Sequence, residues 1–223
     1  MKKKAKASIN VKLYRNIQQR TDAWMVVKNK KISGTGAKAI LTSKSVTPLK
    51  TYAFKLIAQQ ESNIKPCYIP IYLSAAVQWG QDMEPHAIKA FEKKKKLLVE
   101  EIGWAESLDP KLKGRAGASP DGIITVKEWI EVKCLNTENH IKCISENKYP
   151  SEYHSQVLNY FIINPDLEKV YFVLYDPRVK RKRKQLHIIN VLRKDHEKEI
   201  SEGYDKYVQF LELKDELHKK FIG

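Results

Sequence analysis

The chain has 223 residues, of which 42% are hydrophobic, and we expect one folded domain with a proper core. No apolar run approaches the ~20 residues that a membrane helix requires, which excludes a membrane-spanning protein and predicts a soluble one. The 41 Lys and Arg residues exceed the 26 Asp and Glu residues. The resulting net charge of +15 predicts a nucleic acid as partner, because neutralising phosphates releases counterions. The alternative is a basic protein whose charge only keeps it in solution.

The Lys-rich residues 1–10 predict a flexible basic tail, because polar residues interrupt the apolar core that a signal peptide would need. Residues 11–223 then form the single folded domain. The chain has three cysteines, Cys67, Cys134 and Cys143, an odd number without the spacing of a metal site. This pattern favours a reducing cytoplasm over a disulfide framework and gives no sign of a zinc site.

Residues 11–28 predict a short helix followed by an extended segment that leads into a loop. The loop, Ile-Ser-Gly-Thr-Gly at residues 32–36, combines hydroxyl groups with glycine amides and precedes a predicted helix at residues 37–41. Helix starts bind anions, so this loop is a candidate phosphate site. The alternative is that Ser33 or Thr35 only caps the helix.

Two amphipathic helices follow. The first starts at Thr47 and Pro48, and the second runs from Leu73 to Glu92. Glu84 falls within the apolar stripe of the second helix, where it needs a cation, a metal ion or a water-filled cleft beside it. The alternative is that Glu84 lies at the exposed margin of the stripe. The stripes are Leu49, Tyr52, Ala53, Leu56 and Ile57 in the first helix, and Ala76, Trp79, Gly80, Met83, Ala87 and Phe91 in the second.

A predicted hairpin follows a loop at residues 108–114 and a run of small residues. Pro and Gly on either side of Asp121 are typical of a turn, so Asp121 should lie where the chain reverses. Residues 123–126 and 129–134 are rich in β-branched and aromatic side chains, which predicts two strands joined by a tight turn.

Alternation along the second strand places Trp129, Glu131 and Lys133 on one face. A hairpin that returns to its own turn brings Asp121 near Glu131, and two carboxylates beside an ammonium group predict a Mg²⁺ site with hydrolytic chemistry. The alternative is a surface hairpin with a charge pair across its strands, since Glu-x-Lys recurs elsewhere in this charged chain. Only the pattern at Glu131 lies inside an apolar strand that follows a Pro-Asp-Gly turn.

The remaining elements are a helix at residues 151–163, strands at 170–175 and 186–192, and a final helix. Gln156 lies on the apolar face of the first of these helices, where either a core water or a substrate phosphate would satisfy its amide. The segment between the strands, residues 176–184, carries six positive charges and predicts contact with DNA. The final helix is expected to cover the sheet with the stripe Ile200, Tyr204, Tyr207, Val208 and Leu211.

These motifs together resemble the lambda-exonuclease-like viral recombination nucleases, a YqaJ-type phage alkaline exonuclease family of the PD-(D/E)XK superfamily. The resemblance extends over most of the chain. It rests on Asp22-Ala23-Trp24, Trp79-Gly80, Glu84, Ser119-Pro120-Asp121-Gly122, Glu131-Val132-Lys133-Cys134, Gln156 and Tyr175-Asp176-Pro177-Arg178.

The resemblance implies an α/β fold in which helices flank a central mixed sheet. It implies a Mg²⁺-dependent exonuclease that degrades one strand of double-stranded DNA from its ends in the 5′-to-3′ direction. The products would be 5′-mononucleotides and 3′ single-stranded tails for annealing recombination. The partners it implies are double-stranded DNA ends, a single-strand annealing protein and two further copies of the chain in a ring-shaped homotrimer. The location it implies is the cytoplasm of an infected or prophage-carrying bacterium.

The resemblance also assigns roles to residues. Asp121, Glu131 and the backbone carbonyl of Val132 would hold the main Mg²⁺, Glu84 would help to hold a second ion, and Mn²⁺ would substitute for Mg²⁺. Lys133 would activate the water, with Gln156 beside it. The pocket for the 5′-phosphate would use Lys28, Thr35, Ser119 and Gln156, and Val77 and Arg178 would contact the DNA.

The chain departs from the family pattern at three positions. Lys28 replaces an arginine in the phosphate pocket, which loses the bidentate fork of the guanidinium group. Val77 replaces a larger apolar wedge at the duplex fork. Asp109 is displaced from the extra carboxylate that precedes the turn. Two other functions remain open from the residues alone: a structure-specific or nicking endonuclease on the same core, and a basic DNA-binding protein without catalysis.

Overall fold

The computed structural model describes residues 10–69 and 74–223. The predicted tail at residues 1–10 lies outside the described residues except for its last position. The described residues form seven strands and seven α-helices. The strands are β1 (Val11–Tyr14), β2 (Trp104–Ser107), β3 (Gly117–Ala118), β4 (Gly122–Thr125), β5 (Glu128–Lys133), β6 (Lys169–Tyr175) and β7 (Leu186–Leu192). The helices are α1 (Asp22–Lys28), α2 (Gly34–Thr42), α3 (Val46–Glu61), α4 (Ala75–Lys95), α5 (Thr137–Glu146), α6 (His154–Ile163) and α7 (Glu197–Ile222).

Four of the strands form a mixed sheet in the order β4-β5-β6-β7. The central pair β5 and β6 is parallel, and α5 and α6 lie in the connection between the two strands. The outer pairs are antiparallel, as the predicted hairpin requires for β4 and β5. Strand β5 therefore lies in the interior of the sheet with both faces covered, which explains its nearly continuous burial.

The two faces of β5 pack against different helices. Trp129 belongs to the larger core, where its ring meets that of Tyr160 on α6 edge-on at 5.6 Å. Ile130 and Val132 pack with Phe91 of α4 on the other face. This confirms the alternation predicted from the sequence, and it places Glu131 on the side that faces α6.

The three remaining strands form a second, antiparallel sheet in the order β1-β2-β3. Isolated bridges join the surrounding segments, between Ile32 and Ala116 and between Glu100 and Ile123. The Ser-Pro-Asp turn separates β3 from β4 and thereby divides the strands into two sheets. Mixed α/β architecture in a single domain is confirmed, with two sheets in place of one central sheet.

The prediction for residues 11–28 is wrong in its order, because the strand comes first and the helix second. Val11 is buried and β1 pairs with β2, ninety or more positions away, so tertiary pairing decides its conformation. The helix α1 starts later because Thr21 caps it. The Thr21 hydroxyl accepts a hydrogen bond from the Trp24 amide at 3.3 Å.

Three predicted helical stripes have different outcomes. In α3, the buried residues are Ala53, Leu56 and Ile57, as predicted. In α4, only Ala87 and Phe91 of the stripe are buried, because the amino-terminal half of that helix borders a cleft. Helix α7 buries Ile200, Tyr207 and Leu211 of its stripe and leaves Tyr204 and Val208 partly buried, but it packs against α2, α3 and α6 and not against the sheet. The prediction that α7 covers the sheet is wrong, because other helices already occupy the sheet faces.

The three cysteines are free thiols. Within residues 10–69 and 74–223, no helix combines the length and the apolar character that crossing a membrane demands.

Candidate active site

The hairpin of β4 and β5 brings the two predicted carboxylates together. Gly122 pairs with Ile130, so the preceding residue, Asp121, lies beside Glu131. The Asp121 carboxylate accepts a hydrogen bond from the Val132 amide, with 2.7 Å between nitrogen and oxygen. A side chain at Gly122 would collide with Val99, so only glycine lets the turn approach this closely. The hydrogen bond from Val132 and the close packing at Gly122 therefore fix the position of Asp121.

Glu131 is completely buried, and three donors satisfy its carboxylate. Lys133 forms an ion pair with one oxygen. Gln156 donates to the same oxygen at 2.7 Å, and the Tyr160 hydroxyl donates to the other oxygen. Gln156 and Tyr160 are one turn apart on α6, so this helix holds the carboxylate in place. The alternative of an exposed hairpin charge pair is thereby excluded.

The buried charges perturb one another. Burial and the neighbouring Glu131 raise the pKa of Asp121 well above its usual range, and Glu84 adds to this while Lys133 opposes it. For Lys133, burial acts to lower the pKa, but the carboxylates of Glu131 and Asp121 outweigh it and the net pKa is raised. Lys133 is therefore a cation at neutral pH.

Glu84 reaches the same region from α4. Its side chain is one-quarter exposed, and Arg20 donates to it at 2.9 Å. Arg20 has a left-handed backbone with φ of 63° in the turn that precedes α1. The cation that Glu84 was expected to need is present as Arg20, and Glu84 also lines an open cleft.

A cleft of about 810 Å³ opens over the carboxylates of Asp121 and Glu84, whereas the completely buried Glu131 does not line it. Arg178 lies over the ring of Trp79 at 4.1 Å, and its guanidinium group is held by Asp176 at 2.7 Å. Arg178 and Val77, the basic and the apolar side chain predicted to contact DNA, therefore both border the cleft. The predicted site residues that line it are Val77, Glu84, Asp121, Val132, Lys133 and Arg178.

A second, smaller cleft of about 400 Å³ shares Asp121 with the first. Lys28, Thr35, Ser119 and Gln156 all line it, so the structure brings together the four residues expected to bind a phosphate. The amino end of α2 opens into this cleft as well.

The cleft offers positive charge that the described residues leave without a carboxylate partner. Burial and the neighbouring Lys55 lower the pKa of Lys28, and its ammonium group lies over the Trp24 ring at 3.7 Å. The Ser119 hydroxyl already accepts from Trp24 at 2.8 Å and donates to the Gly103 carbonyl at 2.7 Å. Ser119 thus orders the wall of the cleft while Lys28 supplies the charge.

The loop prediction at residues 32–36 has a mixed outcome. Ser33 occupies the cap position of α2 with extended backbone, but its side chain makes no capping hydrogen bond. Thr35 lies in the first turn and so is not the cap. The first amides of α2 therefore receive no capping hydrogen bond from the Ser33 side chain. Free amides at the start of a helix are the groups that bind anions.

The donor set fits a hard divalent cation. Asp121 and Glu131 present carboxylate oxygens, and a cation between them would offset both the burial and the repulsion by Glu131 that raise the pKa of Asp121. A carboxylate has about four lone-pair sites, and donors occupy three of those on Glu131, so one stays available. The Val132 carbonyl points to the same side of β5 as its amide, toward Asp121.

Several residues of the site were not anticipated from the sequence. Arg20 offered no signal, because it follows no periodic pattern. Tyr160 could have been found, since it lies four residues after Gln156 on the same helical face. Tyr153 lies under the Lys133 ammonium group at 4.9 Å. Glu101 lines a further cleft together with Glu84 and Asp121.

Asp109 is not a member of this site. Its carboxylate accepts from the Lys111 amide at 2.9 Å and from the Tyr204 hydroxyl at 3.0 Å. It borders a different cavity, with Arg193 and residues of α7. Asp109 was displaced in sequence from the extra carboxylate of the family pattern, and in the structure it lies outside the active site. Its loop is held by Tyr204 of α7.

Comparison with solved structures finds an alkaline exonuclease (LHK-Exo) from Laribacter hongkongensis, with a TM-score of 0.74 and 26% identity. The match covers 90% of this chain and 96% of that one. A second structure of LHK-Exo, in complex with dAMP, matches equally well. A phage related exonuclease from Haemophilus somnus 129PT shares the fold, with a TM-score of 0.55, 14% identity, and coverage of 86% of this chain and 96% of that one.

No curated protein matches the sequence. The family model described as the YqaJ-like viral recombinase domain matches residues 23–164, which is more than half of the chain. These residues include Asp121, Glu131, Lys133 and Gln156. The resemblance inferred from the sequence is confirmed: the chain belongs to the family of YqaJ-like viral recombinase domains.

Proposed function

We propose that the chain is a Mg²⁺-dependent exonuclease that resects one strand of double-stranded DNA in the 5′-to-3′ direction. The observation that carries the proposal is the position of Asp121, which belongs both to the open cleft and to the smaller cleft that contains Lys28. The name of the Laribacter relative, an alkaline exonuclease, supports DNA cleavage from an end. The dAMP bound in its second structure is consistent with a mononucleotide product.

The chain's own residues have separable tasks in this reaction. Asp121, Glu131 and the Val132 carbonyl would hold Mg²⁺, with Glu84 close enough to the cleft to serve a second ion. When bound, the metal would stabilise charge on the attacking and leaving oxygens. Gln156 and Tyr160 orient Glu131 by direct hydrogen bonds.

Lys133 acts as a cation in this proposal. Its raised pKa keeps the ammonium group protonated, so it donates a hydrogen bond to the attacking water or the phosphate and does not act as a general base. Arg20, Lys28 and Arg178 surround the clefts with positive charge, which attracts the phosphate backbone.

The smaller cleft would receive the 5′-terminal phosphate. A dianion there would compensate the charge of Lys28 and accept hydrogen bonds from the first amides of α2. Because Asp121 borders both clefts, binding the terminal phosphate in one would place the first phosphodiester over the other. This geometry supports 5′-to-3′ polarity and release of one nucleotide at a time.

We predict that the protein degrades a linear duplex with 5′-phosphates faster than the same duplex with 5′-hydroxyl ends. Lys28→Ala should reduce this preference by about tenfold, the effect of losing one charge-assisted hydrogen bond. Time courses on end-labelled duplexes with Mg²⁺ measure both quantities. Lys111→Ala removes the same charge from the loop at residues 108–114 and should leave the preference unchanged. Equal rates on both kinds of end in the unmutated protein would remove the phosphate pocket from the proposal.

A covalently closed duplex in the same assay separates the alternative functions. A structure-specific or nicking endonuclease would cut it, whereas the proposed exonuclease needs an end. A non-catalytic DNA-binding protein would leave every substrate intact. The homotrimeric ring, the single-strand annealing partner and the cytoplasmic location stay predictions from the family resemblance.

A further inference from the structure

Two histidines and a carboxylate converge outside both clefts, where α6 and α7 begin. His154 is the first residue of α6, His196 precedes α7, and Glu199 lies in the first turn of α7. One potential ligand atom from each lies within 4.8 Å of the other two. None of these three side chains belongs to the proposed catalytic machinery.

The side chains are oriented toward a common centre. One Glu199 oxygen pairs with Nε2 of His154, and the other lies 3.6 Å from Nδ1 of His196. This Nδ1 atom is buried and has no hydrogen-bond partner within the described part of the chain. A buried ring nitrogen without a partner costs free energy, and a bound cation would remove that cost.

Tyr149 fixes the orientation of His154. Its hydroxyl lies 2.8 Å from Nδ1 of His154, and its ring stacks on Phe172 at 4.6 Å. The hydroxyl can accept a hydrogen bond from a protonated Nδ1, which leaves Nε2 free as a ligand. Outer partners of this kind accompany metal-binding histidines.

We propose that His154, His196 and Glu199 bind a divalent transition-metal ion such as Zn²⁺. Two imidazole nitrogens and one carboxylate are ligands that suit Zn²⁺, whereas Mg²⁺ prefers oxygen ligands alone. Glu199 is about half exposed, so a water molecule completes the coordination from the solvent side. The ion would link the first residue of α6 to the first turn of α7.

This link would act at a distance from the catalytic carboxylates. Gln156 and Tyr160, which hold Glu131, follow His154 on the same helix. An ion at the start of α6 would therefore anchor the element that orients Glu131. The site is a structural one with its own metal preference, and it does not depend on the proposed nuclease activity.

Co²⁺ is the probe, because its visible absorption reports nitrogen ligands. The full chain carrying Asp121→Asn, which disables the catalytic cleft, is freed of metal with EDTA and titrated with Co²⁺ in excess Mg²⁺. We expect one Co²⁺ per chain and an absorption band that Zn²⁺ abolishes by displacement. His154→Gln and His196→Gln should each remove the band, and Tyr149→Phe should weaken binding by about 10- to 100-fold.

His218→Gln is the matched control. His218 also pairs with a glutamate, Glu61 at 2.7 Å, but no second histidine within residues 10–69 and 74–223 completes that pair, so this variant should bind Co²⁺ like its parent. Circular dichroism checks that each variant is folded, and either histidine variant alone suffices for the test. Absence of binding by the parent, or undiminished binding by a folded histidine variant, would overturn the proposal and leave a simple hydrogen-bonded cluster.

Discussion

Asp121→Asn and Glu131→Gln should each slow cleavage of a linear duplex by a factor of about 10² to 10³, typical of losing a group that stabilises charge in the transition state. Asp121 and Glu131 are the carboxylates that meet at the β4 and β5 hairpin, and both substitutions keep the shape of the side chain. Duplex affinity in the absence of metal should not fall, because neither carboxylate attracts phosphate. Single-turnover digestion and binding titrations measure the two effects separately.

Asp109→Asn provides the matched control for this prediction. The substitution is chemically identical to Asp121→Asn, but Asp109 is held by Tyr204 and Lys111 away from the cleft. Its cleavage rate should stay within a few-fold of that of the unmutated protein. Undiminished cleavage by Asp121→Asn, or cleavage in the presence of EDTA, would show that the hairpin carboxylates are not the metal site.

The parts of the site that were predictable from sequence are local. Asp121, Glu131 and Lys133 span thirteen positions, and a turn followed by an alternating strand determines their relative placement. Gln156 could be singled out because a polar side chain on an apolar helical face needs a partner. The identity of that partner, the carboxylate of Glu131, depends on how α6 packs on the sheet and is not encoded in either segment alone.

The parts that were missed depend on contacts between distant segments. Strand β1 takes its conformation from β2, and Arg20 reaches Glu84 across more than sixty positions. Helix α7 has the stripe of a helix that covers a sheet, yet it packs on other helices, because an apolar stripe does not specify its partner. Periodicity predicts that one face of a helix is buried. Which element covers that face depends on how the helices and sheets pack in the folded chain.

Two variants that both abolish cleavage should change the stability of the metal-free protein in opposite directions. Lys133→Met removes the only cation paired with Glu131 among the described residues, and Glu131 is completely buried. Breaking a buried ion pair from one side leaves an uncompensated charge, so we expect a loss of about 3 kcal/mol in the free energy of unfolding. The double substitution Glu131→Gln with Lys133→Met removes both charges and should recover most of that loss.

Asp121→Asn should instead stabilise the metal-free protein, by on the order of 1 kcal/mol. Burial and the charge of Glu131 raise the pKa of Asp121, so its ionisation costs more in the folded chain than in the unfolded one. Because the carboxyl pKa of Asp121 is raised on folding, the unmutated protein loses stability as the pH rises from about 4, the pKa in the unfolded chain, to the pKa in the folded chain. Asn does not ionise, so its stability advantage should grow over that pH interval. The amide oxygen of Asn can still accept from Val132. Urea denaturation in EDTA at several pH values measures the free energy of unfolding of both variants. A destabilised Asp121→Asn would mean that Asp121 is a structural carboxylate and not one held in place for a metal ion.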